Sequence, residues 1–135
     1  MGRVLAQPPL APPDAYFHFA AKLALETDPS DVWADLQSGQ PGFVVVDSRR
    51  EDAFVGAHVP GAVHLPYAAM DEATCRHFLG PPGDRLCVVY CWGNSCNAAD
   101  KGGLALAGLG YPVKVMIGGI DAWRDQGYPI EGAEA

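Results

Sequence analysis

Ionised cysteine is a strong nucleophile, and this chain has four cysteines: Cys75, Cys87, Cys91 and Cys96. Cys91 follows directly on the apolar run Leu86-Cys87-Val88-Val89-Tyr90 and opens the segment Trp92-Gly93-Asn94-Ser95-Cys96-Asn97. Asn97 and Asp100 have capping-box-like spacing, so a helix is expected to start at Asn97. A strand–loop–helix unit of this kind curls successive backbone N–H groups around the sulfur and points a helix N-terminus at it. Such an arrangement binds anions and favours thiolate over thiol. On this reading Cys91 is an activated nucleophile that requires no neighbouring histidine. The competing reading is a buried structural cysteine at a strand end, because free cysteine is among the most buried residue types.

The other reactive side chains have plainer readings. Cys87 lies inside the apolar run and is expected in the core, whereas Cys75 lies on a polar helix with no assigned role. Cys96 is either a small filler at the end of the loop or a resolving thiol that closes a disulfide with Cys91 and guards it against over-oxidation. The cysteines lack the paired short C-x-x-C arms of structural zinc, so no metal is expected. A second polar cluster, Asp47-Ser48-Arg49-Arg50, ends another β-branched run. Asp47 is not a plausible base, because a carboxylate beside a thiolate raises the thiol pKa. Arg49, Arg50 and Lys101 could approach the site, although charges at such positions are usually solvated or structural. Trp92 either walls a pocket or simply covers the loop. His58 sits in a turn with Pro60 and Gly61 and is expected to tie it; His18, His64 and His77 show no metal-like pairing.

These residues need a scaffold, and the hydrophobic pattern supplies one. Phe43-Val44-Val45-Val46 and Leu86–Tyr90 are unbroken runs typical of strands buried on both faces. Residues 62–65 and 113–117 are two further short strands. Helices are expected around 51–56, 69–79, 98–109 and 120–126, with Gly110 and Gly127 as terminating glycines. Two more helices precede the first strand. One is capped by Asp14 and has Tyr16, Phe17, Phe19, Ala20, Leu23 and Ala24 on one broad apolar face. The other has Asp28 at the cap, Pro29 at its first position, Val32, Trp33 and Leu36 as its stripe, and Gly39 past its end. Alternating strands and helices imply an α/β fold: an open parallel sheet flanked by helices on both faces. Residues 1–13, with four prolines and no apolar period, read as a flexible leader; residues 14–135 read as one domain. In such sheets ligands bind beyond the C-terminal strand ends, where both polar clusters fall.

Composition narrows the partners. The chain has 135 residues, 49% of them hydrophobic, and a formal net charge of −7. Its nine Lys and Arg are scattered, which disfavours nucleic acid and anionic membranes. No run approaches the roughly 18 apolar residues of a membrane span, and no secretory core follows Met1. The expected location is the cytoplasm, where the thiols stay reduced.

At this level of detail the chain resembles the rhodanese-like family. Three segments carry the resemblance. Val45-Val46-Asp47-Ser48-Arg49, with Phe54, His58-Val59-Pro60-Gly61-Ala62 and Leu65-Pro66, is similar to the family's first signature. Tyr90-Cys91 and its six-residue loop resemble the active-site signature. Met116-Ile117-Gly118-Gly119-Ile120, Ala122-Trp123 and Gly127-Tyr128-Pro129-Ile130 resemble the C-terminal one. The resemblance implies a sulfurtransferase in which Cys91 takes a sulfane sulfur from thiosulfate or a thiol persulfide and passes it to a nucleophilic acceptor. That acceptor would be a small molecule or a partner protein's thiol, with no metal or organic cofactor. The N–H groups from Trp92 to Asn97, through Gly93, Asn94, Ser95 and Cys96, would bind the substrate and stabilise the persulfide. Asp47 and Arg49 resemble the family's structural pair. The chain departs from the pattern at Cys96, where many catalytic members carry Arg. Without that cation, oxyanion clamping and phosphatase chemistry are disfavoured and thiosulfate is a poorer donor. Two alternatives follow: a non-catalytic interaction module, or a thiol redox sensor using Cys91 and Cys96.

Overall fold

The β-branched runs form the centre of the molecule. In the computed structural model, residues 2–83 and 85–135 are described; Met1, the first residue of the expected leader, lies outside them. In chain order the elements are α1 (Pro12–Leu25), β1 (Glu26–Thr27), α2 (Pro29–Gln37), β2 (Phe43–Asp47), α3 (Glu51–Gly56) and β3 (Val63–His64). A 3-10 turn (Tyr67–Ala69), α4 (Glu72–Leu79), β4 (Leu86–Tyr90), α5 (Ala98–Gly108), β5 (Val113–Met116) and α6 (Gly119–Asp125) follow. The five strands form one parallel sheet in the order β1-β5-β4-β2-β3. The two runs expected to be buried on both faces, β2 and β4, are neighbours and pair from Phe43 with Leu86 to Asp47 with Tyr90.

Side chains alternate along a strand, so each strand feeds two cores. Phe43, Val45, Val88, Tyr90 and Met116 pack with Val32 of α2 and with Ile120 and Trp123 of α6. Val46, Cys87 and Val89 face the other way and pack with Cys75 of α4 and with Ala99 and Leu106 of α5, and Cys91 belongs to this second core. Each fully buried Val or Leu contributes about 1.5–3 kcal/mol of transfer free energy, which pins the register of β2 and β4.

Local signals explain most helix ends. Asp28 accepts from the Asp31 N–H at 2.9 Å, with Pro29 opening α2. Gly110 and Gly127 take positive φ after α5 and α6. Three expectations need correction. The helix expected over 69–79 is broken: the 3-10 turn ends at Ala69, and Asp71 restarts the chain by accepting from the Thr74 N–H at 2.7 Å. α1 begins at Pro12 rather than beyond Asp14, so Pro12 and Pro13, read as leader, are helical and Asp14 lies in the first turn. Its aromatic face is not buried either; Tyr16, Phe17 and Leu23 are exposed. Cys75 is completely buried, because α4 turns it inward against the sheet. β1 escaped the pattern because it is two polar residues long and depends on pairing with β5. No helix of the described residues is long and apolar enough to cross a membrane.

Candidate active site at the end of β4

Cys91 emerges at the C-terminal end of β4, and its loop is held by two neighbours. Within the loop, the Cys96 N–H donates to the Gly93 carbonyl at 3.2 Å, curling the chain back. From below, the start of α6 takes up the loop's carbonyls: Ile120 N–H donates to Cys91 O at 3.0 Å and Asp121 N–H to Trp92 O at 2.9 Å. Gly118 and Gly119 allow this approach, with φ of 77° and 57°. A β-carbon on Gly119 would collide with the Cys91 carbonyl and stand 2.7 Å from the Trp92 carbonyl. At Gly93 a β-carbon would lie 2.8 Å from an oxygen of the exposed Asp121 carboxylate, which can turn aside.

The Cys91 side chain is buried, and its thiol donates to the Cys96 carbonyl at 3.3 Å. Burial pushes the thiol pKa up, and the N–H groups of Ala99 and Gly93 offset this only in part. The expected net preference for thiolate at Cys91 is therefore corrected: desolvation outweighs the nest. Cys96 shows the opposite balance. Its partial burial opposes ionisation, but the backbone of Ala98 and Trp92, the Cys91 thiol and the charge of Lys101 together lower its pKa. Cys87 is pushed up to about 11 by burial, and Cys75 is raised for the same reason.

Two cavities flank the loop. A groove of about 470 Å³ runs from Cys91, Gly93, Asn94 and Cys96 along Leu104, Val113 and Ile117. A second cavity, about 490 Å³, is lined by Ser48, Arg49, Arg50, Trp92 and Cys96. Of the loop residues expected to bind substrate, Gly93, Asn94 and Cys96 thus share the groove with Cys91, while Trp92 faces the other cavity. Ser95 and Asn97 are exposed and line neither. Asn97 does precede α5, and its carbonyl accepts from the Lys101 N–H at 3.0 Å, but its side chain makes no cap bond.

Asp47 and Arg49 form a buried fork on the far side of the sheet from Cys91. Asp47 belongs to the same strand face as Val45, and Cys91 to the face of Val89. Arg49 donates through Nε at 3.1 Å and Nη2 at 2.8 Å to the Asp47 carboxylate, and also to the Ala57 carbonyl. Tyr90 Oη donates to Asp47 at 2.6 Å and accepts from the Val59 N–H at 3.0 Å. The Arg49 guanidinium lies 4.5 Å from the centre of the Trp92 ring, so the fork also supports the loop's outer wall. Burial alone would lower the Arg49 pKa, but Asp47 outweighs it and the net direction is up. His58 ties its turn to the C-terminal segment through paired backbone bonds with Glu131, of 2.8 and 2.9 Å, while its Nδ1 contacts the Phe54 carbonyl. The supporting role of Gly118 and Gly119 went unassigned in the sequence; the signal was a glycine pair between a strand and a helix.

A parallel α/β sheet with a cysteine loop at the end of a central strand defines the class of protein. The rhodanese-like domain model matches residues 28–126. The chain belongs to the rhodanese-like domain family. It is 37% identical over 98 residues to the thiosulfate sulfurtransferase GlpE of Pseudomonas putida strain GB-1, covering 70% of this chain and 81% of that protein. It is 32% identical over 90 residues to the HTH-type transcriptional regulator Rv0324 of Mycobacterium tuberculosis, covering 66% of this chain; it spans only 38% of the regulator. The crystal structure of the BH2092 protein from Bacillus halodurans superposes with a TM-score of 0.85 at 37% identity, covering 93% of this chain and 91% of that one.

Proposed function

We propose that the protein is a sulfurtransferase and persulfide carrier whose covalent site is Cys91. One observation carries this reading: the Cys91 thiol lies at the end of β4, on the floor of an open groove, under a loop whose carbonyls are held by α6. The Cys91 thiolate attacks the outer sulfur of a donor, the donor's sulfur–sulfur bond breaks, and the leaving group departs with the electron pair. The N–H groups of Gly93 and Ala99 face the sulfur and stabilise the persulfide anion. A nucleophilic acceptor then removes the outer sulfur and returns Cys91 as thiolate. The scheme uses no metal or organic cofactor.

The groove favours one donor class. Leu104, Val113 and Ile117 line it, and its Lys114 is matched by Glu26 and Asp100. A dianion such as thiosulfate finds little net positive charge there, so a thiol persulfide, small or carried by a partner protein, fits better. Free thiols of this kind belong in a reducing cytoplasm. The test is loading of reduced protein by a glutathione persulfide donor and, separately, by thiosulfate, read by intact mass with Cys91→Ser alongside. The reading expects one added sulfur, removed by cyanide, in wild type alone. Folded, reduced protein that gains no sulfur from either donor and forms no disulfide would point to the interaction module instead.

A further inference from the structure

Cys96 shares a groove with Cys91 and is only partly buried, whereas Cys75 and Cys87 are sealed in the core. We propose that Cys96 is a resolving thiol that discharges persulfidated Cys91 from within, closing a Cys91–Cys96 disulfide and releasing the sulfane sulfur as hydrosulfide. This rests on the reading of Cys91 as the persulfide site and gives the loaded protein a second activity, sulfide release without an external acceptor.

Three features of the site support it. The loop's Cys96-to-Gly93 hydrogen bond returns the chain toward its start, so the Cys91 thiol meets the Cys96 carbonyl at 3.3 Å and both cysteines line one groove. Cys96 lines the second cavity as well as the groove, and so keeps solvent access when a donor fills the groove. The electrostatics divide the roles. The backbone of Ala98 and Trp92 and the charge of Lys101 favour Cys96 as thiolate, the attacking form. Burial disfavours a thiolate at Cys91 and so makes it the poorer leaving group. Attack at Cys91 Sγ expels hydrosulfide, whereas attack on the outer sulfur would have to expel the buried Cys91 thiolate.

The step is balanced. The Cys96 thiolate forms a bond to Cys91 Sγ, and the bond from that sulfur to the sulfane sulfur breaks. The bonding pair leaves on hydrosulfide. The sulfane sulfur is reduced by two electrons, and the two cysteines end as a disulfide. A dithiol reductant returns them to thiols for the next cycle.

The experiment loads reduced full-length protein with a glutathione persulfide donor, removes small molecules, and follows sulfide release and intact mass without added thiol. Wild type is expected to release one equivalent of sulfide and to finish two hydrogen atoms lighter than its reduced form, with Cys91 and Cys96 joined in one cross-linked peptide. Cys96→Ser and Cys96→Ala, once loaded, are expected to hold the added sulfur at least about tenfold longer. Equal persulfide lifetimes in wild type and both variants, or sulfide release without the disulfide, would overturn the inference and leave the sulfurtransferase intact. If no protein gains sulfur, Cys91 is not the persulfide site, and the resolving role falls with it.

Discussion

Replacing Asp47 with Ala separates structural support from chemistry. Asp47 accepts from the Arg49 N–H at 2.9 Å, Arg49 Nε at 3.1 Å, Arg49 Nη2 at 2.8 Å and Tyr90 Oη at 2.6 Å. Without the carboxylate, the buried Arg49, 3% exposed as a residue, keeps its charge but loses its counterion. Breaking a buried pair in this way costs about 3–5 kcal/mol. That is a large part of the roughly 5–15 kcal/mol that holds a domain folded. With a urea slope of about 1–3 kcal/mol per molar, the midpoint should fall by roughly 2 M. A double variant, Asp47→Leu with Arg49→Met, should recover much of that loss, because replacing both charges with apolar groups removes the unpaired charge. Urea unfolding followed by Trp fluorescence reads the midpoint, with Trp123 and Trp33 packed in and against the core. Sulfur loading per folded molecule should change little in Asp47→Ala, since Asp47 faces the opposite side of the sheet from Cys91. A midpoint within a few tenths of a molar of wild type would refute the structural assignment. Lost loading in folded Asp47→Ala would show that the fork acts on the chemistry.

Gly119→Ala should lose loading and stability together, because its β-carbon enters the Cys91 and Trp92 carbonyls at positive φ; the left-handed backbone alone costs about 1–2 kcal/mol, and a wild-type melting curve would contradict this. Loading by a persulfide donor should climb with pH and still be rising above the ordinary cysteine value of about 8.5, since burial raises the Cys91 thiol; stopped-flow rates that level off below neutrality would refute it. Cys87 is held up to about 11 in the folded chain and ionises earlier when unfolded. The folded state therefore binds more protons between those values, and stability falls as pH rises through that window. The fall should be shallower in Cys87→Ala, as urea midpoints at several pH values would report. Cys96→Arg should improve thiosulfate use severalfold by adding a cation beside the groove; an unchanged rate of thiocyanate formation would show that donor charge is not limiting.

The unbroken runs 43–46 and 86–90 announced buried parallel strands, and Asp28-Pro29 announced a helix start, because each is a local signal with a local cause. The position of Cys91 at a strand end was legible for the same reason. The balance at its sulfur was not. The loop suggested an activated thiolate, yet the depth to which the second core buries Cys91 raises its pKa. Burial depth depends on α4 and α5 closing over the sheet, and no segment of sequence records it. The two faces of the sheet show a middle case. Strand alternation already separates Asp47 from Cys91 by side, but only the fold shows Arg49 reaching past Asp47 to the Trp92 ring. The aromatic stripe on α1 misled, since amphipathic spacing says which residues share a face and not whether that face is covered.

The most direct test is the mass of the reduced protein after exposure to a sulfane donor, beside Cys91→Ser treated identically. The account predicts a persulfide confined to Cys91, captured within the first turnover before Cys96 discharges it and stable in Cys96→Ser. Added sulfur on another cysteine, or equal uptake by Cys91→Ser, would contradict it.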